Sequence, residues 1–311
     1  MSRARGGWRA VLGMNARNDH IDRVNDWASV SLVNDKVATK LLLAASGLPV
    51  PPTVAVIENR RDLASLTADR LPDAWALKPN HGRGGSGILL AGGREGADWR
   101  GLSGRRLTMR DVVDHTRLVL QGEYSPAGRP GDSALVEPLL RTSEDLARVA
   151  GAGMPDVRVI CRDGTPIAAM LRLPTVASGG RANLHQGGIG AAVDLDSGRV
   201  SAARWRRRPC VAHPDTGQAL VGLRVPAWRE VLETAAACAD ATGLRYLGAD
   251  IVFDRTHGHL VLEVNARPGL EIQNVQGRGL APDLVGHRSP LAVPRQRTVQ
   301  PSAALVPATP C

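Results

Sequence analysis

Two apolar, β-branched runs separated by a short polar segment constrain the fold of this chain more than any other feature. The runs cover residues 248–254 and 260–269, and the polar segment 255–259 lies between them. This pattern predicts a β-hairpin. Because side chains two positions apart on a strand share a face, Glu263 and Asn265 are expected to project from the same side of it.

The register of this hairpin decides whether a third oxygen-bearing side chain joins them. Suppose that Asp254 faces His259 across a four-residue loop. Asp250 then faces Glu263, and the oxygen atoms converge; a three-residue loop would instead put Asp250 opposite Leu262 and separate them. Converging oxygens suit Mg²⁺, which proteins commonly hold with one or two carboxylates together with substrate phosphates. The alternative is a solvent-facing edge with scattered acidic side chains.

Composition narrows the class of partner. The 311 residues are 43% hydrophobic and 22% charged, as in a soluble globular protein of one or two domains. A net charge of +9 favours anionic partners such as nucleotides, phosphates or acidic peptides. The run 204–208, with four arginines, is either a nucleic-acid patch or a solvated basic turn. Because aromatic residues on which bases could stack are scarce, with one Phe, two Tyr and six Trp, we expect no nucleic-acid partner.

Cysteine spacing and hydropathy predict a cytoplasmic protein. The four cysteines, at positions 161, 210, 238 and 311, form no CxxC pair, which is typical of reduced thiols. Residues 1–17 lack the continuous apolar segment of a signal peptide. No apolar run reaches the ~18 residues of a membrane-spanning helix.

A glycine-rich loop follows one of the three lysines in the chain. Gly82, Gly84 and Gly87 match the GxGxxG pattern, but strand-like runs flank the loop, so it is not a dinucleotide fingerprint opening a helix. Lys78 lies at the end of the preceding strand and is expected to point towards the same place. The loop is either a flexible cover over nucleotide phosphates or an ordinary mobile hairpin.

Start and stop signals organise the rest of the chain. Asn34 and Asp35 cap a helix that ends before Gly47, and Pro226 opens another at its first position. From about residue 288 the composition predicts a disordered tail. The expected helices cover 36–46, 61–70, 108–122 and 226–242, and the expected strands cover 53–57, 75–79, 88–90, 132–140, 157–161, 166–173, 191–194 and 200–204.

Several segments, taken in order, resemble the ATP-grasp superfamily, and within it the RimK-type and α-L-glutamate ligase-like branch. The resemblance runs from about residue 34 to residue 280. Residues 213–217 also resemble the glutamate-ligase-like and sugar-transfer-associated groups. The segments that carry the resemblance are 34–40, 77–79 with the glycine loop, 156–158, 181–188, 248–251 and 263–269.

The resemblance implies an α+β ATP-grasp fold in which two subdomains with antiparallel sheets grip ATP between them. It divides the chain into an N-terminal arm (1–33), a first subdomain with the glycine loop (34–135), a second with the metal site (136–287) and a disordered tail (288–311). Relatives commonly have a preceding Rossmann-like domain. Here we expect it to be absent, with a partner chain or a second copy completing the acceptor site.

The resemblance also implies roles for individual residues. Arg172 and Arg267 would stabilise the transferring phosphoryl group and the acyl phosphate. Asp250, Glu263 and Asn265 would carry two Mg²⁺ (or Mn²⁺) ions. The implied substrate contacts are Arg158, His185 and Gln186. The implied ATP contacts are Lys36, Lys78, Gly82, Gly84, Gly85, Ser86, Gly87, Glu137, Pro138, Leu139, Asp156, Arg181 and Asn183.

The implied activity is an ATP-dependent carboxylate–amine ligase that works through an acyl phosphate. It would add an amino acid such as glutamate to a peptide or small-molecule acceptor. Two alternatives stay open at this point. One is another ATP-grasp outcome, either phosphoryl transfer or cell-surface sugar or polysaccharide modification, and the other is a basic nucleic-acid-binding protein.

Overall fold

A computed structural model of the chain describes residues 10–284 except Arg83 and Arg129. The expected disordered tail, 288–311, and the first nine residues of the expected arm lie outside this range. Among the described residues, no helix has the length and apolar character needed to cross a membrane.

Two antiparallel sheets form the frame of the described chain, which confirms the expected α+β class. The first, in spatial order, contains β1 (Ala55–Ile57), β6 (Ala134–Pro138), β2 (Trp75–Pro79), β3 (Leu89–Glu95), β4 (Asp98–Gly101) and β5 (Arg106–Leu107). The second contains β11 (Arg208–Pro209), β10 (Val200–Trp205), β9 (Ile189–Val193), β8 (Thr165–Leu173), β7 (Asp156–Arg162), β12 (Tyr246–Asp254) and β13 (Gly258–Asn265).

Helices cover both sheets. Asp35 caps α3 by accepting a hydrogen bond from the Ala38 amide at 2.8 Å, as the sequence predicts. The helices are α1 (Met14–Val24), α2 (Trp27–Val33), α3 (Lys36–Ala45), α4 (Arg60–Ser65), α5 (Met109–Leu120), α6 (Glu144–Ala150), α7 (Trp228–Thr242), α8 (Glu271–Gln276) and α9 (Ala281–Leu284).

Two helix predictions were wrong in detail. The helix expected over 61–70 stops at Ser65, and a separate 3₁₀ turn covers Ala68–Arg70. Pro226 is not the first helical residue, because Ala227 adopts a left-handed conformation (φ 45°) and α7 begins at Trp228. In both cases a local backbone change interrupts a segment whose composition favours a continuous helix.

The hydrophobic cores show where the N-terminal helices belong. Val30 and Val33 of α2 and Leu43 of α3 are buried in the core that one face of the second sheet forms with α6 and α7. Ile21 of α1 packs in a separate core on the opposite face, with α8 and α9. We therefore propose that residues 10–45 belong structurally with the second sheet, although the expected division groups α3 with the first.

Candidate active site

The β12–β13 hairpin does bring Asp250 opposite Glu263, but the expected four-residue loop was wrong. Asp254 pairs with Gly258, so the loop has three residues. Regular pairing from there would put Asp250 opposite Leu262. A β-bulge next to Asp250 shifts the register by one residue and restores the pairing with Glu263.

The Asp254 carboxylate explains the short loop. Its Oδ1 accepts hydrogen bonds from the backbone amides of Thr256 (2.9 Å) and His257 (3.0 Å), which closes a tight turn. Its Oδ2 accepts from the Arg141 amide at 2.7 Å, outside the hairpin. An aspartate directly before the polar segment was therefore the available sequence signal for a three-residue loop.

Asp250 belongs to a buried group of two carboxylates and two guanidinium groups. Arg158 donates to both of its oxygens, from Nε at 2.7 Å and Nη2 at 2.6 Å. Arg172 Nη2 donates to Asp250 Oδ2 at 2.8 Å, and the same side chain binds both oxygens of Asp156 at 2.5 and 2.7 Å. Inward-facing arginines are costly without anions, and these carboxylates supply the anions.

The two carboxylates of this group differ in their pKa. Burial raises the pKa of Asp156 to about 6, because only Arg172 contacts it and the nearby Asp250 charge adds to the effect of burial. Burial acts in the same direction on Asp250, but Arg158 and Arg172 together outweigh it and lower the pKa of Asp250. Asp250 is therefore the carboxylate that stays ionised most firmly.

Both arginines retain unused donors. Each guanidinium uses Nε and Nη2 for the carboxylates, and neither Nη1 donates a hydrogen bond to a residue within the described ranges. An arginine has five N–H donors. Arg158 and Arg172 can consequently hold their carboxylates and still bind an anion.

Glu263 and Asn265 are the oxygen-bearing side chains beside this group. In the part of the chain that the structure describes, no donor hydrogen-bonds to the Glu263 carboxylate or to Asn265 Oδ1, while Asn265 Nδ2 donates to Asp250 Oδ2 at 3.3 Å. Burial, followed by the charge of Asp250, raises the pKa of Glu263. A carboxylate in this position is stabilised by a nearby cation.

These residues fit a Mg²⁺ site in part. The fit rests on the Glu263 carboxylate and Asn265 Oδ1, which are hard oxygen ligands. Asp250 would join only by releasing one guanidinium hydrogen bond. No group of three His, Cys, Asp or Glu side chains suited to a metal occurs within the described residues.

Lys36 connects α3 to the base of the glycine loop. Its Nζ donates to the carbonyl oxygens of Asn80 (3.0 Å) and Gly82 (2.6 Å). The Asn80 side chain accepts from the Val37 amide at 2.9 Å, which holds the start of α3 against the same loop. Lys36 thereby joins α3, which packs in the core of the second sheet, to the loop that follows β2 of the first sheet.

Lys78 points away from the place that the sequence suggested. Its Nζ pairs with Glu137 Oε2, and Lys40 pairs with Glu137 Oε1 at 2.5 Å. Strands β2 and β6 are neighbours, so Lys78 and Glu137 meet across the sheet rather than at the glycine loop. Sequence reasoning assigned no role to Lys40, although it lies one helical turn after Lys36 and is one of only three lysines.

We expect Glu137→Gln to destabilise the protein in a pH-dependent manner. Burial would raise the pKa of Glu137, but the charges of Lys78 and Lys40 outweigh burial and lower it. A depressed folded-state pKa stabilises the fold above the unfolded value of about 4.5 and ceases to do so as pH falls through the folded value. Urea denaturation should therefore show the largest difference between parent and variant above pH 5, and a shrinking one below pH 4. A difference that grows at low pH would contradict this assignment.

The glycine loop is anchored at its end by residues that sequence reasoning missed. His115 Nε2 donates to the Gly87 carbonyl at 2.8 Å, and its ring stacks on Tyr124. Gly87 has φ +71°, and a Cβ there would lie 2.4 Å from Tyr124 Cγ, so only glycine fits. Gln186 Nε2 lies 3.5 Å from the Gly84 carbonyl, which brings the loop 178–188 against the glycine loop.

An open cleft of about 1020 Å³ collects most of the predicted site residues. Lys78 and Glu137 line a small adjoining pocket, which shares Lys36 and Glu263 with the cleft. Five predicted residues line neither the cleft nor the small pocket: Ser86, Gly87, Pro138, Leu139 and Gln186. The predicted residues that line the cleft are Lys36, Gly82, Gly84, Gly85, Asp156, Arg158, Arg172, Arg181, Asn183, His185, Asp250, Glu263, Asn265 and Arg267.

Proteins named probable alpha-L-glutamate ligase resemble this chain over most of its length. A probable alpha-L-glutamate ligase of Xanthomonas axonopodis pv. citri (strain 306) is 28% identical over 255 residues, which are 81% of this chain and 63% of that protein. A probable alpha-L-glutamate ligase of Mannheimia succiniciproducens is 25% identical over 282 residues, which are 90% of this chain and 71% of that protein. The chain thus spans less than two thirds of the length of the former.

Solved structures also resemble the fold. A crystal structure of D-alanine–D-alanine ligase from Bacillus anthracis complexed with ATP has a TM-score of 0.47 at 15% identity, covering 83% of this chain and 66% of that one. The model of the sugar-transfer associated ATP-grasp family matches residues 15–286, nearly the whole described range. The resemblance found in the sequence is therefore confirmed, and the chain belongs to the sugar-transfer associated ATP-grasp family.

Proposed function

We propose that this protein is an ATP-dependent ligase that joins a carboxylate to an amine through an acyl phosphate. The observation that carries the proposal is the wall of the cleft formed by β7, β8 and β13. There, two arginines with unused donors lie beside a carboxylate and an amide oxygen that lack hydrogen-bond donors among the described residues. Such a wall suits a phosphate-bearing anion together with its metal ion.

ATP occupies the cleft with its phosphates beneath the glycine loop. Lys36 and the loop backbone are close to these phosphates, with Arg181 and Asn183 on the opposite loop. The adenine lies towards the small pocket between Lys78, Glu137 and the segment that continues to Leu139. Asp156 acts on the nucleotide indirectly, because both of its oxygens are bound by Arg172.

Glu263 and Asn265 would hold the Mg²⁺ or Mn²⁺ ions that accompany ATP, two in this proposal, and Asp250 would join them only by giving up a guanidinium hydrogen bond. When bound, the ions neutralise phosphate charge during phosphoryl transfer. Each arginine released from Asp250 would keep its donors within the cleft.

The reaction has two steps. A carboxylate oxygen of the first substrate attacks the γ-phosphorus of ATP, and ADP leaves with the electrons of the broken P–O bond. The amine of the second substrate then attacks the acyl carbon, inorganic phosphate leaves and the nitrogen loses a proton. Arg172 stabilises the transferring phosphoryl group and Arg267, which is half exposed at the mouth of the cleft, stabilises the acyl phosphate. The two contacting loops, 82–87 and 178–188, keep water away from this intermediate.

The names of the relatives support glutamate as the added amino acid. The proposed acceptor is a peptide or a small molecule. Arg158, His185 and Gln186 are the proposed contacts for these substrates. A second copy of this chain or a partner chain is proposed to complete the acceptor side. Because the cleft is open to solvent, an acceptor can approach it from outside.

ADP formation tests the proposal. The full chain is incubated with Mg-ATP and pairwise mixtures of amino acids and acidic peptides, and mass spectrometry follows the products. We expect ADP, phosphate and an amide that has lost one water relative to its two components. ATP binding without ADP in any mixture that includes glutamate would contradict the proposed activity.

A second candidate is supported by the description of the matched family. Sugar-transfer association favours a phosphoryl transfer or a modification of a cell-surface sugar. Adding a hydroxyl-bearing sugar to the same assay separates the two functions. A phosphorylated product without free phosphate would favour the second.

A further inference from the structure

The hairpin that joins β10 to β11 has an unfavourable turn made of two arginines. Trp205 pairs with Arg208, so Arg206 and Arg207 form the two-residue turn. Both are left-handed, with φ 49° and 65°. Turns of this type favour Asn-Gly, because a left-handed backbone is unfavourable for a residue with a Cβ atom. Two arginines in this unfavourable conformation suggest that their charges have a role.

This tip, residues 204–208, is a concentration of positive charge. Among the described residues, no carboxylate lies within salt-bridge distance of its four arginines. Arg204 donates to the Arg207 carbonyl at 3.1 Å, and the Arg206 guanidinium lies 4.8 Å from the centre of the Trp205 ring. Arg206, Arg207 and Arg208 are exposed. The tip therefore presents fixed, solvent-facing cations.

The tip is attached directly to a loop of the cleft. Trp205 Nε1 donates to the Gly187 carbonyl at 2.9 Å, and the Thr175 hydroxyl donates to the same oxygen at 2.9 Å. These bonds close the loop that bears Arg181 and His185, both of which line the cleft. The tip is thus hydrogen-bonded to the loop that carries the cleft residue Arg181.

We propose that the tip docks an acidic stretch of the peptide acceptor whose amine reacts in the cleft. This inference rests on the proposed ligase function and specifies its acceptor as an anionic peptide. Charge complementarity and the connection through Trp205 favour this occupant. A nucleic acid fits less well, because Arg206 already covers a face of Trp205 and the tip has no other aromatic ring for base stacking.

The substitution Arg206→Asn/Arg207→Gly tests the docking site without weakening the turn. Asn-Gly is the favoured pair for this hairpin, so the variant should fold at least as well as the parent. A matched control, Arg60→Gln/Arg61→Gln, removes the same charge from exposed positions of α4 that do not line the cleft.

The probe is a fluorescently labelled hexaglutamate, with hexaglutamine as the neutral comparison, titrated by anisotropy at low salt with and without Mg-ATP. We expect the tip variant to bind hexaglutamate about fivefold more weakly, the scale of two exposed ion pairs, while the control and the Mg-ATP affinity stay at parental values. Salt should weaken parental binding, since exposed charges are screened within about 10 Å at 0.1 M.

Equal hexaglutamate affinity in parent and tip variant, or an equal loss in the control, would overturn the docking site. Tighter binding of a six-nucleotide single strand than of hexaglutamate would replace it with a nucleic-acid surface. The measurement needs no turnover. A chain that binds hexaglutamate through the tip but forms no amide would refute the ligase function, whereas a ligase whose tip variant binds normally would refute only this inference.

Discussion

Glu263→Gln is expected to lower the rate of ADP formation about a thousandfold while leaving the fold at least as stable as in the parent. The amide keeps the shape of the side chain but removes the charge that the proposed metal site needs. Losing several kcal/mol of charge stabilisation in the transition state has an effect of about this size. The measurement is ADP production under saturating Mg-ATP, together with the affinity for Mg-ATP in the absence of the second substrate.

The stability of this variant has a defined pH dependence. Burial and the nearby Asp250 charge raise the pKa of Glu263, so its ionised form opposes folding. This penalty is absent well below the unfolded value of about 4.5 and grows as pH rises through the folded value. The unfolding temperature of the variant should therefore exceed that of the parent by an amount that grows as the pH rises from about 4.5 through the folded pKa of Glu263.

Glu144→Gln provides the control. Its side chain is 77% exposed at the start of α6, so the same chemical change should alter neither turnover nor the pH dependence. Parental ADP formation by Glu263→Gln would remove Glu263 from the proposed metal site. A variant that is less stable than the parent at neutral pH would contradict the repulsion between Glu263 and Asp250.

The second large effect concerns stability. Arg172→Met should lower the free energy of unfolding by about 3–5 kcal/mol, because it leaves two buried carboxylates with a single guanidinium. Asp156 would lose both of its hydrogen bonds from Arg172, and Asp250 would keep only Arg158. Urea denaturation at pH 7 measures the loss. Turnover should also disappear, since Arg172 is proposed to contact the transferring phosphoryl group.

A compensating substitution separates the electrostatic cause from a packing defect. Adding Asp156→Asn to Arg172→Met removes the uncompensated charge, so the double variant should recover most of the lost stability without recovering turnover. Arg148→Met removes an exposed partner of Asp145 and should cost no more than about 1 kcal/mol. A double variant less stable than Arg172→Met would show that the two side chains contribute independently.

The sequence predicted local elements well wherever short-range signals agree. The Asp35 cap and Gly47 delimit α3, and β2 has the bounds that its apolar residues predict. The order of the characteristic segments along the chain was enough to identify the ATP-grasp family. Those features depend on residues close together in the sequence or on the spacing of segments along it, and both can be read directly from the sequence.

Long-range pairing decided the details of the site. Lys78 is bound by Glu137 because β6 lies beside β2, a neighbour relation that the local sequence does not encode. The partners of Arg158 and Arg172 similarly depend on β7 lying between β8 and β12. The contacts of Lys78 with Glu137 and of both arginines with Asp250 join residues that are 59 to 92 positions apart, whereas Arg172 and Asp156 are 16 positions apart.

The β12–β13 hairpin shows both contributions together. Alternation along β13 determined by itself that Glu263 and Asn265 share a face, because the side-chain period of a strand is fixed by its backbone. Only the tertiary structure decided that Asp250 joins them. The Asp254 turn imposes a three-residue loop, and the bulge at Leu262 then corrects the register while β12 is held on its other side by β7. A bulge of this kind depends on how a turn and two neighbouring strands compete to set the register. The alternation of side chains along a single strand does not predict it.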